Sequence, residues 1–117
     1  MERLLLVEHN LLFRDGLALL LEWRTGLSSS LASTPAEARC VLGEEYRKPT
    51  CAIVDLDLPE GGGNELLEQL DGIPVLALIK ERSLKRQSEA MGLGAEEVLL
   101  TRSVEKIASA VERLIGR

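Results

Sequence analysis

Residues 52–59 read AIVDLDLP, and a run of glycines follows at residues 61–63. A short apolar run without polar alternation is typical of a strand that is covered on both faces. The strand would end at Asp55, and the proline and glycines beyond it predict a turn. Buried strands rarely end in an acid followed by a fixed turn. We therefore interpret Asp55 as the centre of a functional pocket rather than as a solvated loop acid or a helix cap.

Other apolar runs predict the remaining strands of a parallel sheet. They lie at residues 4–7 (LLLV), 75–79 (VLALI) and 98–100 (VLL), and the more polar run at 28–33 (SSSLAS) suits an edge strand. Helical patterns separate these runs, and the second helix has a capping-box signal at Thr34-Pro35-Ala36-Glu37. We expect one α/β domain over residues 1–117, a three-layer sandwich with five parallel strands in the order 2-1-3-4-5 and five helices.

Composition narrows the classes of function. The chain has 117 residues, of which 45% are apolar and 28% charged, and its formal net charge is −5. An acidic surface disfavours direct binding of nucleic acid. The sequence contains no secretory leader and no apolar run long enough for a membrane span, so we expect a cytoplasmic protein without membrane contact. Cys40 and Cys51 lack metal-binding spacing, and we expect reduced, packed thiols.

The predicted topology brings acidic residues together. In open parallel sheets, sites form beyond the carboxyl ends of the strands where the strand order reverses. Strands one and three are neighbours at that point, so Glu8 and His9 would meet the segment from Asp55 to Asp57. Clustered carboxylates repel each other and favour a hard cation such as Mg²⁺. A carboxylate beside such an ion can also act as a nucleophile toward phosphorus.

Along its whole length the sequence resembles the receiver domains of bacterial two-component response regulators, which have a flavodoxin-like fold. The segments that carry the resemblance are residues 4–9, 52–59, 63–67, 73–78 and 94–95. The resemblance implies that Asp55 is the position that accepts a phosphoryl group from a histidine kinase. It also implies that Mg²⁺ would contact Asp55, an acidic pair after the first strand and the backbone carbonyl of Asp57.

Several positions depart from the pattern of that family. The acidic pair reads Glu8-His9, the hydroxyl position at the end of the fourth strand reads Ile79, the aromatic position reads Val98, and the lysine position reads Thr101. An imidazole is a poor Mg²⁺ ligand, so we expect Mg²⁺ binding to be weak or absent. These replacements predict a degenerate switch with two open outcomes. Either Asp55 still accepts a phosphoryl group without the usual coupling, or the domain is a pseudo-receiver that controls dimerisation or an output domain without phosphorylation.

Two cations near the pocket could compensate. We hypothesise that Lys80 or Arg102 pairs with Asp55 in the resting state, the alternative being two solvated surface cations. His9 has three interpretations: a side chain that faces solvent, a member of the pocket, or a metal ligand together with Glu8 and Asp55. The third would favour a softer ion than Mg²⁺.

We therefore predict a non-enzymatic signalling module that acts by protein–protein contact. Its partners would be a histidine kinase or another signalling protein, and a second copy could dock through the fourth helix, fifth strand and fifth helix, the usual contact surface in the resembling family. That face would carry mixed charges suited to reciprocal pairing. The charged residues are Lys85, Arg86, Glu89, Glu105, Lys106 and Glu112.

Two other classes of function are suggested by parts of the sequence. Asp55-Leu56-Asp57 also resembles the DxD motif of haloacid-dehalogenase-type phosphatases, with Asp55 as nucleophile and Asp57 as general acid. Against it, Leu58 follows without the usual hydroxyl residue, and 62 residues after Asp55 are few for the remaining motifs and a cap. A flavin-binding domain would need a hydroxyl- and glycine-rich phosphate loop after the first strand, where Glu8 would instead repel an anion.

Overall fold

The computed structural model describes residues 2–44, 48–100 and 102–116 of the chain. Its centre is one sheet of five parallel strands in the order β2-β1-β3-β4-β5, as predicted. The strands are β1 (Arg3–Val7), β2 (Ser28–Ala32), β3 (Cys51–Asp55), β4 (Val75–Ile79) and β5 (Glu97–Leu100). Because β1 and β3 pair in the middle of the sheet, the strand order reverses beside the residues that follow these two strands.

Five helices alternate with the strands and complete the predicted three-layer α/β sandwich. They are α1 (Leu11–Thr25), α2 (Pro35–Glu44), α3 (Gly63–Gln69), α4 (Leu84–Gly92) and α5 (Val104–Ile115). At α2 the Thr34 hydroxyl accepts a hydrogen bond from the backbone N–H of Glu37, as the capping signal predicts. The Glu37 carboxylate returns to the N–H of Ser33 rather than of Thr34, one residue earlier than in the standard box.

The core is aliphatic and lies on both faces of the sheet. Alternate residues of each strand point to opposite faces, so Leu4 and Leu6 join a cluster with α1 and α5, whereas Leu5 and Val7 join a cluster with α2, α3 and α4. Cys51 is buried in the first of these clusters, but Cys40 is exposed, so the expectation of two packed thiols was wrong for Cys40.

Among the described residues, no helix has the length and apolar character needed to cross a membrane.

Candidate functional site

Two buried acids lie side by side at the carboxyl end of the sheet. Val7 is in register with Val54, so Glu8 and Asp55 follow at the same level. The side chains of Glu8 and Asp55 are only 0% and 1% exposed. Backbone hydrogen bonds extend the sheet past both strands, from Glu8 N to Ala32 O (3.0 Å) and from Leu56 N to Leu78 O (2.9 Å). The sheet therefore holds two carboxyl groups in a place where neither reaches bulk water.

The environment of Glu8 favours its protonated form. Burial raises the pKa of the Glu8 carboxyl above its ordinary value, and a hydrogen bond and the negative charge of Asp55 raise it further. Two donors oppose this shift. The backbone N–H of Asn10 donates to Oε2 (3.2 Å), and Nη1 of Arg102 donates to Oε1 (2.8 Å). Glu8 is thus held by protein donors on one side and faces the carboxyl group of Asp55 on the other.

His9 belongs to this pocket. Its Nδ1 lies 3.0 Å from Oδ2 of Asp55 and 3.2 Å from Oε2 of Glu8, and the ring is 29% exposed. The solvent-facing interpretation of His9 was therefore wrong. The other oxygen of Asp55, Oδ1, accepts the backbone N–H of Asp57 (2.8 Å). Both oxygens of the candidate phosphoacceptor accordingly have protein partners.

The expected pairing of Lys80 or Arg102 with Asp55 was wrong. Within the described residues, the side-chain partner of Asp55 is His9, and Arg102 binds Glu8 instead. The guanidinium of Arg102 stacks over the ring of Phe13 in α1, 4.1 Å from its centroid, and this contact holds Arg102 on the β1 side of the pocket. Lys80 contributes its backbone N–H, which donates to Asp57 Oδ2 (2.7 Å).

Asp57 faces helix α4 rather than the buried acids. Its Oδ1 accepts Nη1 of Arg86 (2.8 Å), and Nη2 of the same guanidinium donates to the backbone carbonyl of Leu56 (3.1 Å). Arg86 thereby ties the turn after β3 to the first part of α4. From its sequence position, Arg86 was predicted only as part of the contact surface, and this role was not predicted. Its position three residues after the N-cap Ser83 was the available signal, because that turn faces the carboxyl end of the sheet.

Two of the other predicted switch positions, Ile79 and Val98, are apolar and lie on the β4 and β5 side of the same edge. Ile79 ends β4, is 1% exposed, and cannot hydrogen-bond a phosphoryl oxygen. Val98 is half-buried in β5 and packs against the core. Thr101 lies outside the described residues. Among the described residues, the buried acids of the pocket lie at the ends of β1 and β3.

The donor set of the pocket fits Mg²⁺ poorly. Glu8, His9 and Asp55 each offer one ligand atom, and these atoms lie within 4.8 Å of one another. Mg²⁺ requires a nearly octahedral shell of oxygen ligands. Here the third donor is an imidazole nitrogen, and the guanidinium of Arg102 already occupies one oxygen of Glu8. The pocket thus differs from an all-oxygen magnesium site in both ligand type and charge.

Sequence comparisons leave the family open: no protein-family model and no curated protein sequence matches this chain. Comparison of structures is more informative. A response regulator receiver domain protein (CheY-like) from Methanospirillum hungatei is 21% identical with a TM-score of 0.87, over 99% of this chain and 94% of that one. A two-component response regulator from Clostridium difficile is 17% identical with a TM-score of 0.88, over 100% and 98% of the two chains.

A third similar structure contains ligands. A response regulator protein from Burkholderia pseudomallei, crystallised with a phosphorylated aspartic acid, a calcium ion and citrate, is 28% identical with a TM-score of 0.81. The match covers 97% of this chain and 72% of that one. The matched structures agree with the strand order and helix arrangement described above, and on this basis the chain has the CheY-like receiver fold of response regulators.

Proposed function

We propose that this chain is a cytoplasmic receiver module that signals by protein–protein contact and does not use phosphorylation of Asp55 as its switch. One observation carries the proposal: both acids of the pocket already have protein side chains as partners. Arg102 lies on Glu8, and His9 lies between Glu8 and Asp55. These contacts occupy the groups with which a metal ion and a phosphoryl group would have to interact.

The missing helpers would weaken any phosphorylated state. A hydrogen bond to a charged group contributes about 1.5–3 kcal/mol, so replacing the hydroxyl and the lysine of the resembling family by Ile79 and Thr101 removes several kcal/mol. Swinging a two-state switch from 1:99 to 99:1 takes roughly 5.5 kcal/mol of differential stabilisation. A phosphoryl group would also add roughly two negative charges to a pocket that already contains two buried carboxyl groups. We infer that phosphate would not drive a conformational switch here.

The proposal is tested by incubating the chain with Mg²⁺ and acetyl phosphate and measuring its intact mass. We expect no phosphoryl adduct on the wild type. A repaired variant that carries His9→Asp, Ile79→Thr and Thr101→Lys is the matched positive control and should gain the adduct. An adduct on the wild type that disappears in Asp55→Ala would overturn the proposal.

We propose that the contact surface lies on α4, β5 and α5 and serves a histidine kinase, another signalling protein or a second copy of the chain. Lys85, Glu89 and Lys106 are exposed there, beside the exposed apolar side chains Leu84 and Met91. Three predicted members are engaged elsewhere, because Arg86 binds Asp57, and Glu105 and Glu112 both bind Arg24 of α1. Sedimentation velocity tests self-association: Lys106→Glu should weaken a dimer, and a monomer at all concentrations would exclude the second copy.

The phosphohydrolase alternative gains no support from Asp57. A general acid must present a free carboxyl group to the substrate. Both oxygens of Asp57 are instead hydrogen-bonded, one to Arg86 and one to the N–H of Lys80. Turnover of a generic phosphate ester that Asp57→Asn abolishes would restore this alternative.

A further inference from the structure

The solvent side of helix α1 is apolar. Leu12, Leu19 and Trp23 are 88%, 71% and 81% exposed. Their spacing of seven and four residues places them on one side of the helix, roughly opposite the buried Leu17 and Leu21. A surface helix normally directs polar and charged side chains to solvent. A row of exposed apolar side chains instead indicates a surface that another protein covers.

A cleft between α1 and the edge strand β2 adds an acidic border to this row. Leu19 and Leu31 line the cleft together with Asp15 and Glu22, and both acids are exposed. Arg14 contacts one oxygen of Asp15 (3.0 Å) but is itself mostly covered, so the border presents carboxylates to solvent. We call this surface the α1 face, and its members are Leu12, Leu19, Trp23, Leu31, Asp15 and Glu22.

The first part of α4 and the loop before it have the opposite charge. Residues 80–86 read KERSLKR, so four of the 14 lysines and arginines of the chain lie in a stretch that contains one acid. Leu84 and Met91, seven residues apart on one side of α4, are 70% and 50% exposed. The exposed cations beside them are Lys80, Arg82 and Lys85. We call these five side chains the α4 face.

The two faces lie at opposite edges of the sheet. The α1 face borders β2, which is one edge strand, and α4 packs against β5, which is the other. Copies of a chain with a net charge of −5 repel each other where acidic surfaces meet. A symmetric contact between two α1 faces would bring their acids together. We propose that the α1 face of one copy binds the α4 face of a second copy, head to tail.

The two faces match in polarity as well as in charge. The aliphatic stems of Arg82 and Lys85 can cover apolar side chains while their charged ends reach Glu22. A cation over the ring of Trp23 adds a further attraction. Tryptophan is enriched among the residues that dominate binding energy. When covered it buries about 150–250 Å² of the roughly 800 Å² that each partner contributes to a specific interface.

A head-to-tail contact leaves one unoccupied face at each end of a dimer. Further copies can therefore add, and the assembly grows as a ring or as an open filament. This inference rests on the proposed function in one respect, because it takes α4 as a contact surface. It deepens that proposal by naming the surface of the second copy that α4 meets.

The first experiment uses the wild-type chain with a reducing agent, because Cys40 is exposed. Trp23 is the single tryptophan of the sequence, so its fluorescence reports on the α1 face. As the protein concentration rises, we expect its emission to move to shorter wavelength while sedimentation velocity detects species larger than a monomer. Raising the salt concentration from about 0.05 M to about 0.5 M should weaken this association at least about threefold by screening the charges.

Three results of this experiment would overturn the proposal without any variant having to fold. They are a monomer at every concentration, association that leaves the emission of Trp23 unchanged, and association that salt does not weaken. A monomer whose Trp23 emission shifts only with a basic amphipathic helical peptide would also overturn it, and would assign the α1 face to a different protein.

The second experiment breaks each face in a separate chain. Leu19→Asp with Trp23→Ala removes the α1 face and keeps the α4 face, whereas Leu84→Asp with Lys85→Glu does the reverse. All four side chains are exposed, so urea denaturation should give free energies of unfolding close to that of the wild type. Each variant alone should be a monomer. The equimolar mixture should form a dimer that grows no further, because only one intact pair of faces remains.

The mixture also contains a single tryptophan, since only the second variant keeps Trp23. Adding the first variant to the second should therefore shift the emission of Trp23 in the intact α1 face. Lys48→Glu is the matched charge control, because Lys48 is an exposed lysine before β3, outside both faces, and it should leave association unchanged.

A first variant that dimerises alone would reveal a symmetric contact through α4, and a second variant that dimerises alone would reveal one through α1. Either result would overturn the head-to-tail contact, as would a mixture that stays monomeric. The symmetric α4 contact would still agree with the proposed function. A phosphoryl adduct on the wild type would contradict the proposed function and leave this contact untouched, so the two ideas can fail independently.

Discussion

The carboxyl edge of the sheet has two halves that differ in chemistry. β1 and β3 lead into Glu8 and Asp55, whereas β4 and β5 end in Ile79 and Leu100. Asp55 and Ile79 are each 1% exposed and end neighbouring strands. Burial alone therefore does not determine whether the residue at the end of a strand is polar or apolar. The polar half contains acids because each one has a protein partner, and the apolar half contributes packing.

Substitutions should destabilise the two halves for different physical reasons. Removing volume from the apolar half leaves a cavity whose walls lose their contacts. Removing a partner from the polar half leaves a charge with inadequate solvation. Substitutions in the two halves should therefore differ in size and in their dependence on pH.

The largest effect is expected at Ile79. Ile79→Ala removes a fully buried side chain next to the core, and we expect it to lower the free energy of unfolding by about 2–5 kcal/mol. Urea denaturation at neutral pH measures this loss. Leu100→Ala is the matched control, since Leu100 is in register with Ile79 but is 43% exposed, and it should cost much less. Equal losses at the two positions would mean that the β4 end is not closely packed.

A smaller effect is expected at Arg102. Arg102→Ala removes the guanidinium from the buried Glu8 carboxyl, and we expect a loss of roughly 1–3 kcal/mol, because breaking a charged hydrogen bond is costly. The loss stays below that of a fully buried pair, since Arg102 is 37% exposed and water partly replaces it.

A double-mutant cycle of Arg102→Ala with Glu8→Gln separates this pair from the contact of Arg102 with Phe13. Arg113→Ala is the control, because its pair with Glu97 lies in a more exposed setting. A coupling energy near zero between Arg102 and Glu8 would show that the polar half does not depend on this partner.

The smallest effect is a dependence on pH that only the polar half should show. The folded chain raises the pKa of Glu8 above its ordinary value of 4.5, so folding favours the protonated carboxyl. Its contribution to stability is complete below pH 4.5 and is lost as the pH rises through the folded-state pKa. The unfolding free energy of the wild type relative to Glu8→Gln should thus fall from acidic to neutral pH. A flat difference across urea titrations at several pH values would contradict this.

Local patterns predicted the fold correctly because they report burial directly. The apolar runs of β1, β3 and β4 lack alternation since both faces of these strands are covered, and all five strands and five helices lie where the patterns place them. The same reasoning located Glu8 and Asp55, whose positions depend only on where buried strands end. The partners of these acids were harder to predict, because Lys80 and Arg102 both follow strand ends near the pocket and sequence spacing does not show which acid either one reaches.

Sequence by itself determined the alternation of strands and helices, and the place of Asp55 at the end of a buried strand, because hydrophobic periodicity and turn residues are local properties. The strand order followed from the doubly wound topology that such an alternation favours. Tertiary structure alone decided that His9 binds Asp55, that Arg102 binds Glu8 over the ring of Phe13, and that Arg86 reaches back to Asp57. These contacts join residues that are distant in the chain, and they form where long side chains find the best geometry among several nearby acids. Which cation neutralises which acid is therefore a property of the folded pocket.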